Sequence, residues 1–350
     1  MASMQTYRYT LRPLSAFGTP LAGDTLFGQL CWTLRHQLGN ARLTTLLQGY
    51  ASGQPFAVVS DALPAGHVPL PSVPSALWQA SETDRKKLKK KRWLPMAALG
   101  LPFASWQSQA QSDAEVAEPW IKSWSEVAEP WIKSWSEQAQ AQHRDAKGHS
   151  QTERAQPHNT INRQTGTTGE GQFAPYAMPQ IWFHPAMQFD LHIVLDEARL
   201  SLVELSTALD YMGQAGFGRD ASIGLGKFER QGDAALAAWP TMAQANSYLT
   251  LGPCAPQGLG FCPVRSHYQV ATRFGRHGDA AVQSGQPFKR PVLLAKASSV
   301  FWPETLDASR PFIGQGLGGT GNPVSLSMPE TVQQGYAPVI AIRRAVETPA

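Results

Sequence analysis

Residues 7 to 12 alternate Tyr7, Tyr9 and Leu11 with Arg8, Thr10 and Arg12, which predicts a half-buried strand with one basic face. A turn over 16–20 follows. Next, Leu26, Phe27, Leu30, Cys31, Leu34 and Leu38 recur at spacings of three and four, predicting an amphipathic helix capped by Asp24 and stopped by Gly39. A second strand is expected over 56–60, before Pro64, Pro69, Pro71 and Pro74 break regular structure. Strand alternation returns at 189–196 with Leu191, Ile193 and Leu195. Ser201 and Glu204 then form a capping-box pair ahead of a helix carrying Leu202, Leu205 and Leu209. A glycine-bordered turn over 216–228 leads into a closing strand. Strand, helix and strands followed by strand, helix and strand is the order of a ferredoxin-like β-α-β-β-α-β unit.

Between about 80 and 180 the chain shows no core periodicity and reads as insertions in a first domain spanning 1–232. Within it, EVAEPWIKSWS occurs twice in tandem, from Glu115 to Ser125 and from Glu126 to Ser136. Eleven residues make about three helical turns, so the repeat keeps one face in phase, but Pro119 and Pro130 are expected to interrupt a continuous helix. An alanine-rich connector follows. Short strand candidates at 248–251, 268–274, 292–295 and 336–342 then predict a smaller, helix-poor α+β domain over 246–350.

With 350 residues, 42% of them hydrophobic, the chain can bury a proper core, which excludes full-length disorder. No apolar run approaches the roughly 18 to 20 residues of a membrane-spanning helix, so the expectation is a cytoplasmic protein with no membrane contact. Cys31, Cys254 and Cys262 neither pair evenly nor stand at metal-ligand spacing, which predicts no disulfide framework and no structural zinc. A net charge of +4 is modest, and its distribution is more informative than its sum.

Seven cations occupy the eight positions from Arg85 to Arg92, including Lys86, Lys87 and Lys90. Such a run is either a solvated loop or a phosphate-contacting segment. The stretch from His158 to Gly171 combines Asn162, Arg163, Thr165, Thr167 and Thr168 with turn glycines, and Phe173 and Tyr176 follow. It suits a hairpin laying polar donors along a sugar-phosphate chain, and equally an inserted surface loop. Near the C-terminus, Gly316, Gly318 and Gly321 spell G-x-G-x-x-G, but Pro323 follows at once and neither a dinucleotide-binding nor a Walker A context is present. Gly316, Gly318 and Gly319 can turn N–H groups toward a phosphate or another backbone, or can form a plain turn. His36, His67 and His158 are candidates for a general base. No Ser/His/Asp elbow, paired-carboxylate motif or metal signature accompanies them.

Several separated segments resemble one family in the same order: LRPLSAFGTPLAGDTLFGQLCWTLR, VVSDALPAGHVPLPSVP, KKLKKKRWLP, HNTINRQTGTTGEGQFAPY, GFGRDASIGLGKFE, the C-terminal glycine loop and GYAPVIAI. The chain resembles the RAMP superfamily, and most closely the fourth subunit of Csm-type (type III-A) CRISPR complexes. The resemblance implies an α+β fold of two ferredoxin-like (RRM-like) domains, with a large loop or hairpin insertion in the first and a glycine-rich loop near the C-terminus. It implies a non-catalytic subunit in antiviral defence, without cofactor or metal, that caps the repeat-derived 5′ tag of the guide RNA. Implied partners are the large polymerase-palm subunit and a backbone RAMP subunit, with target RNA met only indirectly. By position, the RNA-facing residues would be Phe17, Gly18 and Thr19 after the first strand, Arg219 and Lys227, the Asn162–Gly171 insert with His158, the Lys86, Lys87 and Lys90 run, and Gly316, Gly318 and Gly319. The alternatives are a metal-independent guide-processing endoribonuclease of the same superfamily, with His36 or His158 as base, or the equivalent subunit of a type III-B or type IV complex.

Overall fold

The computed structural model describes residues 4–78, 85–133, 149–169, 171–240, 242–278 and 286–344. Strand β1 (Gln5–Pro13) buries Tyr7, Tyr9 and Leu11 as their alternation predicts. Helices α1 (Gly23–Leu38) and α2 (Asn40–Leu47) follow, then β2 (Ala57–Pro64), β3 (His67–Pro69), a helical turn α3 (Arg85–Leu88), β4 (Trp93–Pro95) and a second turn α4 (Trp106–Gln109). The long helix α5 (Asp113–Lys133) precedes a ribbon of β5 (Gln151–His158) and β6 (Tyr176–Phe183). Then come β7 (Phe189–Leu195), α6 (Leu202–Ala215), β8 (Phe228–Arg230) and β9 (Ala235–Leu236). The main sheet runs β2-β7-β1-β8, antiparallel throughout, with β9 also pairing β1. α1 and α6 cover it, joining Leu26, Phe27, Leu30 and Leu34 to Leu205, Leu209 and Met212 in one core with the sheet residues. Ser201 and Glu204 close the expected capping box on α6, and Gly39 ends α1 at φ 86°.

Asp24 does not cap α1. Ala22 holds the N-cap position, and Asp24 lies buried in the first turn, ion-paired with Arg273 from the second half of the chain at 3.1 Å. A tertiary partner has replaced the local one. β7 is buried on both faces, including the residues that alternate with its leucines. Asp190 there accepts hydrogen bonds from Thr10 Oγ1 (2.8 Å) and the Gly66 N–H (2.9 Å), and His192 packs on Trp239. Burial drives the His192 pKa down to about 4, so the ring is neutral near pH 7.

The second half contains β10 (Ser247–Thr250), β11 (Val270–Arg273), β12 (Val292–Ala295), β13 (Val300–Phe301), β14 (Phe312–Gly314), β15 (Leu317–Gly318), β16 (Val332–Gln333) and β17 (Tyr336–Ile342). β13-β10-β17-β14 form its sheet, and β11-β12 and β15-β16 form ribbons. Among the described residues no α-helix follows Ala215. The two halves are stitched together through buried polar groups. The Gln334 amide bonds both the N–H and the C=O of Val59 at 2.8 Å, and the Tyr336 hydroxyl donates to the Tyr50 carbonyl at 2.6 Å.

Two expectations for the 80–180 region are corrected. Leu94, Ala98, Leu99, Phe103 and Trp106 are core, packed with Leu63 and Val68 and with Leu249, Val300, Ile340 and Ile342 of the second half. Leu94 lies on the three-residue β4, and the others sit on short 3-10 and α turns whose changing pitch erases any periodic signature. Nor do the prolines break α5, which runs through Pro119. Ser112 and Glu115 cap its start, Ala117 and Ile121 pack beside Met187 and Phe189, Val116 is buried in the groove wall, and both Glu115 and Pro119 are exposed, so water can satisfy the carbonyl that proline leaves without a donor.

Candidate RNA interface

Three distant segments meet where the β5-β6 ribbon joins the body. Phe17 and Ile181 exchange backbone hydrogen bonds of 2.8 and 2.9 Å, which pins β6 to the loop after β1. The glycine-bordered turn closes over the same loop. The Arg219 N–H donates to Thr19 Oγ1 (2.9 Å), the Arg219 guanidinium donates to the Pro179 carbonyl on β6, and the Gly226 N–H donates to the Ala16 carbonyl (2.7 Å). Only glycines permit this fit. A Cβ on Gly18 would lie 2.6 Å from the Arg219 carbonyl oxygen, and one on Gly218, at φ 77°, would lie 2.5 Å from Thr19.

Phe17 itself is buried, edge-on to Phe183 at 5.6 Å, so its ring positions the ribbon and leaves no face for a base. Lys227 is exposed beside this junction, its N–H held by Ser15 Oγ (2.9 Å).

Next to the junction opens a groove of about 720 Å³. Pro20 and Leu21 from the loop after β1, Gln151 and Ile181 from the ribbon, and Gln269, Lys296 and Ser298 from the second half all line it. The basic run contributes Lys89, Lys91 and Arg92, while Lys86, Lys87 and Lys90 lie outside the lining. Arg92 is engaged by Asp113, whose other oxygen accepts from the Trp93 indole at 2.7 Å. Lys89, Lys91 and Lys296 therefore carry the groove's positive charge. Lys296 has no sequence signal, because it is a lone cation brought in by the chain's second half.

Asp61 of β2 lines the groove, with Asp24 of α1 buried nearby. Asp61 accepts from the Gly23 N–H at 2.7 Å, and burial pushes its pKa up to about 7, opposed by that hydrogen bond and by Arg273 and reinforced by Asp24. Burial raises Asp24 as well, against the pull of Arg273 and Lys289. Burial thus disfavours the anion at Asp61 beside the groove, while Asp24 keeps its pair with Arg273.

The ribbon beyond its base is exposed on both faces, and Tyr176 and Trp182 are half exposed. At its tip, Asn162 organises a tight turn. It bonds the backbone of Thr167 and Gly166 at 3.0 and 2.8 Å, and its Oδ1 accepts from the Gln164 N–H at 2.9 Å. Arg163, Thr165, Thr167 and Thr168 are exposed around that turn, and His158 stacks on Tyr176 at 5.3 Å.

The glycine loop lies elsewhere. A Cβ on Gly316 would meet the Tyr50 carbonyl oxygen at 2.4 Å, one on Gly318 would meet that of Thr331 at 2.3 Å, and the Gly319 N–H already donates to Thr331 at 2.9 Å. Close backbone approach accounts for Gly316 and Gly318 and a φ of 78° for Gly319, and none lines the groove. The histidines are dispersed as well. His36 is on α1, His67 bonds the Ala65 carbonyl and Gln111 through its two ring nitrogens, and His158 is at the ribbon tip. Among the described residues no group of three or more His, Cys, Asp and Glu could hold a metal.

No protein-family model and no curated protein matches the chain. Solved structures do. A chain of the Csm3–Csm4 subcomplex of the type III-A CRISPR-Cas interference complex superposes with a TM-score of 0.55 at 13% identity, over 96% of this chain and 99% of that one. A chain of the Csm1–Csm4 cassette bound to pppApA gives 0.53 at 13% identity, covering 97% and 99%. The same cassette with AMPPNP gives 0.52 at 14%, covering 98% and 100%. Csm4 is the component these assemblies share. The fold is Csm4-like. Coverage near the full length on both sides means that the Csm4-like fold extends over both halves of the chain.

Proposed function

We propose that this chain is a non-catalytic, RNA-holding subunit of a type III CRISPR ribonucleoprotein, which grips the repeat-derived 5′ tag of the guide RNA in the groove. The convergence of Lys89, Lys91 and Lys296 from separate halves of the chain on one groove beside the ribbon carries the reading. Three ammonium groups around a trough with exposed amide and hydroxyl side chains suit a sugar-phosphate backbone better than a small apolar ligand. The ribbon, with Arg163 and the threonines at its tip, then lies along the outgoing strand. Phe17, Gly18, Thr19 and Arg219 position that ribbon, and Lys227 adds charge beside its base. The dispersed histidines give no general base and acid facing one another, which supports holding over cutting.

The Csm4-like fold supports partners of the kinds found with Csm4, a large subunit like Csm1 and a backbone subunit like Csm3. It also favours reading the first sheet, with its order β2-β7-β1-β8, as a ferredoxin-like unit and the helix-poor second half as a reduced relative of one. Replacing Lys89, Lys91 and Lys296 together by Glu tests the assignment. Guide-RNA affinity of the assembled particle should fall at least tenfold. The slope of log affinity against log salt should become shallower by about 0.7 for each phosphate that is no longer neutralised. Unchanged affinity and slope would remove the groove from the account.

A further inference from the structure

The β11-β12 ribbon presents two unlike faces. Its inner face is spent on anchoring. Arg273 pairs with Asp24 on α1, His277 Nε2 and Ser325 Oγ share a buried hydrogen bond of 2.7 Å, and Lys289 is largely buried near Asp24 and Cys31. Backbone bonds from Lys289 to Gly275 (2.8 Å) and His277 to Pro287 (2.7 Å) continue the pairing past the named strands, and the Arg290 N–H donates to the Val324 carbonyl (2.7 Å), tying the ribbon to the loop before β16. The outer face is left with its side chains in solvent. Phe274 is 75% exposed and Phe288 68%, an unusual state for two phenylalanines on one ribbon.

These rings alternate with cations. Arg276 bridges to Phe288 across the ribbon, and its guanidinium stands 5.7 Å from the ring centroid. Phe274 and Arg290 are exposed as well, two residues from Arg276 and Phe288 on their respective strands. The outer face therefore carries two phenyl rings and two guanidiniums close together in sequence on both strands of the ribbon. The surrounding sequence, from Pro256 to Phe301, holds six Lys and Arg and only one acid, Asp279. A protein partner able to cover two phenyl rings needs no such charge imbalance. A strand of bases on a phosphate chain needs both elements, flat platforms for stacking and cations for the backbone.

We infer that the outer face of the β11-β12 ribbon is a second single-stranded nucleic-acid site, stacking bases on Phe274 and Phe288 and meeting phosphates with Arg276 and Arg290. None of these four side chains lines the groove, so the two sites are separable.

The test uses the full chain, a fluorescent uridine oligoribonucleotide lacking any tag sequence, and its DNA counterpart. It is run in the parent and in the Lys89→Glu/Lys91→Glu/Lys296→Glu background. Phe274→Leu/Phe288→Leu keeps apolar bulk and removes the rings. It should weaken binding at least tenfold in both backgrounds, while Phe274→Trp/Phe288→Trp restores it and Arg276→Ala makes the salt dependence shallower. All three variants sit on exposed side chains, and an unchanged thermal midpoint confirms that they fold. Equal losses for RNA and DNA mark stacking alone, and a loss confined to RNA identifies RNA as the occupant; either supports the site. If the leucine pair binds oligonucleotide as the parent does, the proposal is overturned. Loss of a protein partner without loss of oligonucleotide binding reassigns the face to protein docking. Because the groove variant is scored separately, failure here leaves the tag-binding groove standing, and the reverse also holds.

Discussion

Asp61 shows how single residues tune this interface. Its carboxyl is held near pKa 7, mainly by burial, with Asp24 adding to the rise and the Gly23 N–H and Arg273 opposing it. A folded-state pKa above the unfolded value means that the folded chain keeps the proton while the unfolded chain releases it. Stability from this group is thus present at about pH 4 and lost as pH climbs through 7. Asp61→Asn keeps an oxygen to accept from Gly23 and cannot ionise. Its thermal midpoint should match the parent near pH 4 and exceed it by a few degrees at pH 8, the gap opening across that interval; a constant difference would refute the assignment. Gly226, at φ 73°, would place a Cβ 2.1 Å from the Phe217 carbonyl oxygen, so Gly226→Ala should cost at least ~2 kcal/mol in thermal unfolding. Gly258→Ala, at a similar φ of 75° but with nothing nearby, should cost only the ~1 kcal/mol of a left-handed alanine. The glycines of 216–226 are legible in the sequence as a turn. The tertiary backbones they admit are not, because a clash with a residue far along the chain leaves no local mark. Asp24 misleads for the same reason, since its partner Arg273 lies in the other half.

At the scale of elements, legibility follows amphipathicity. β1, α1 and α6 each bury one face, so period-two and three-to-four spacings mark them. β7 is found from its leucines, although both of its faces are buried. The β5-β6 ribbon shows no alternation because water reaches both faces, so only its polar tip can be read. Such a ribbon is marginal alone, and its Phe17–Ile181 pairing holds it to the body. Helix α5 poses the sharpest contrast. Val116 is 3% exposed and its repeat partner Val127 is 78% exposed, though both stand at the same position of an identical repeat. Val116→Glu should therefore destabilise the chain by ~3 kcal/mol in chemical denaturation, and Val127→Glu by less than ~0.5 kcal/mol. A silent Val116→Glu would show instead that the second copy can take the first copy's place in the groove wall.

For the whole molecule, the proposed site draws on halves that are distant in sequence. The groove draws Lys89 and Lys91 from one half and Lys296 from the other, and Gln334 and Tyr336 fix the halves by satisfying buried backbone groups of Val59 and Tyr50. The basic run announces itself as a polycation, yet which of its lysines face the groove depends on how the turn after α3 is laid down, and Lys296 gives no warning at all. The central claim is that the groove holds the 5′ tag. Purifying the assembled particle with its own guide RNA, crosslinking it by ultraviolet light and sequencing the RNA–peptide adducts tests that claim directly. Adducts joining the repeat-derived 5′ nucleotides to peptides containing Lys89–Arg92, Gln151 or Lys296 are predicted, whereas adducts of these peptides only with spacer nucleotides, or none while other subunits crosslink to the tag, would contradict it.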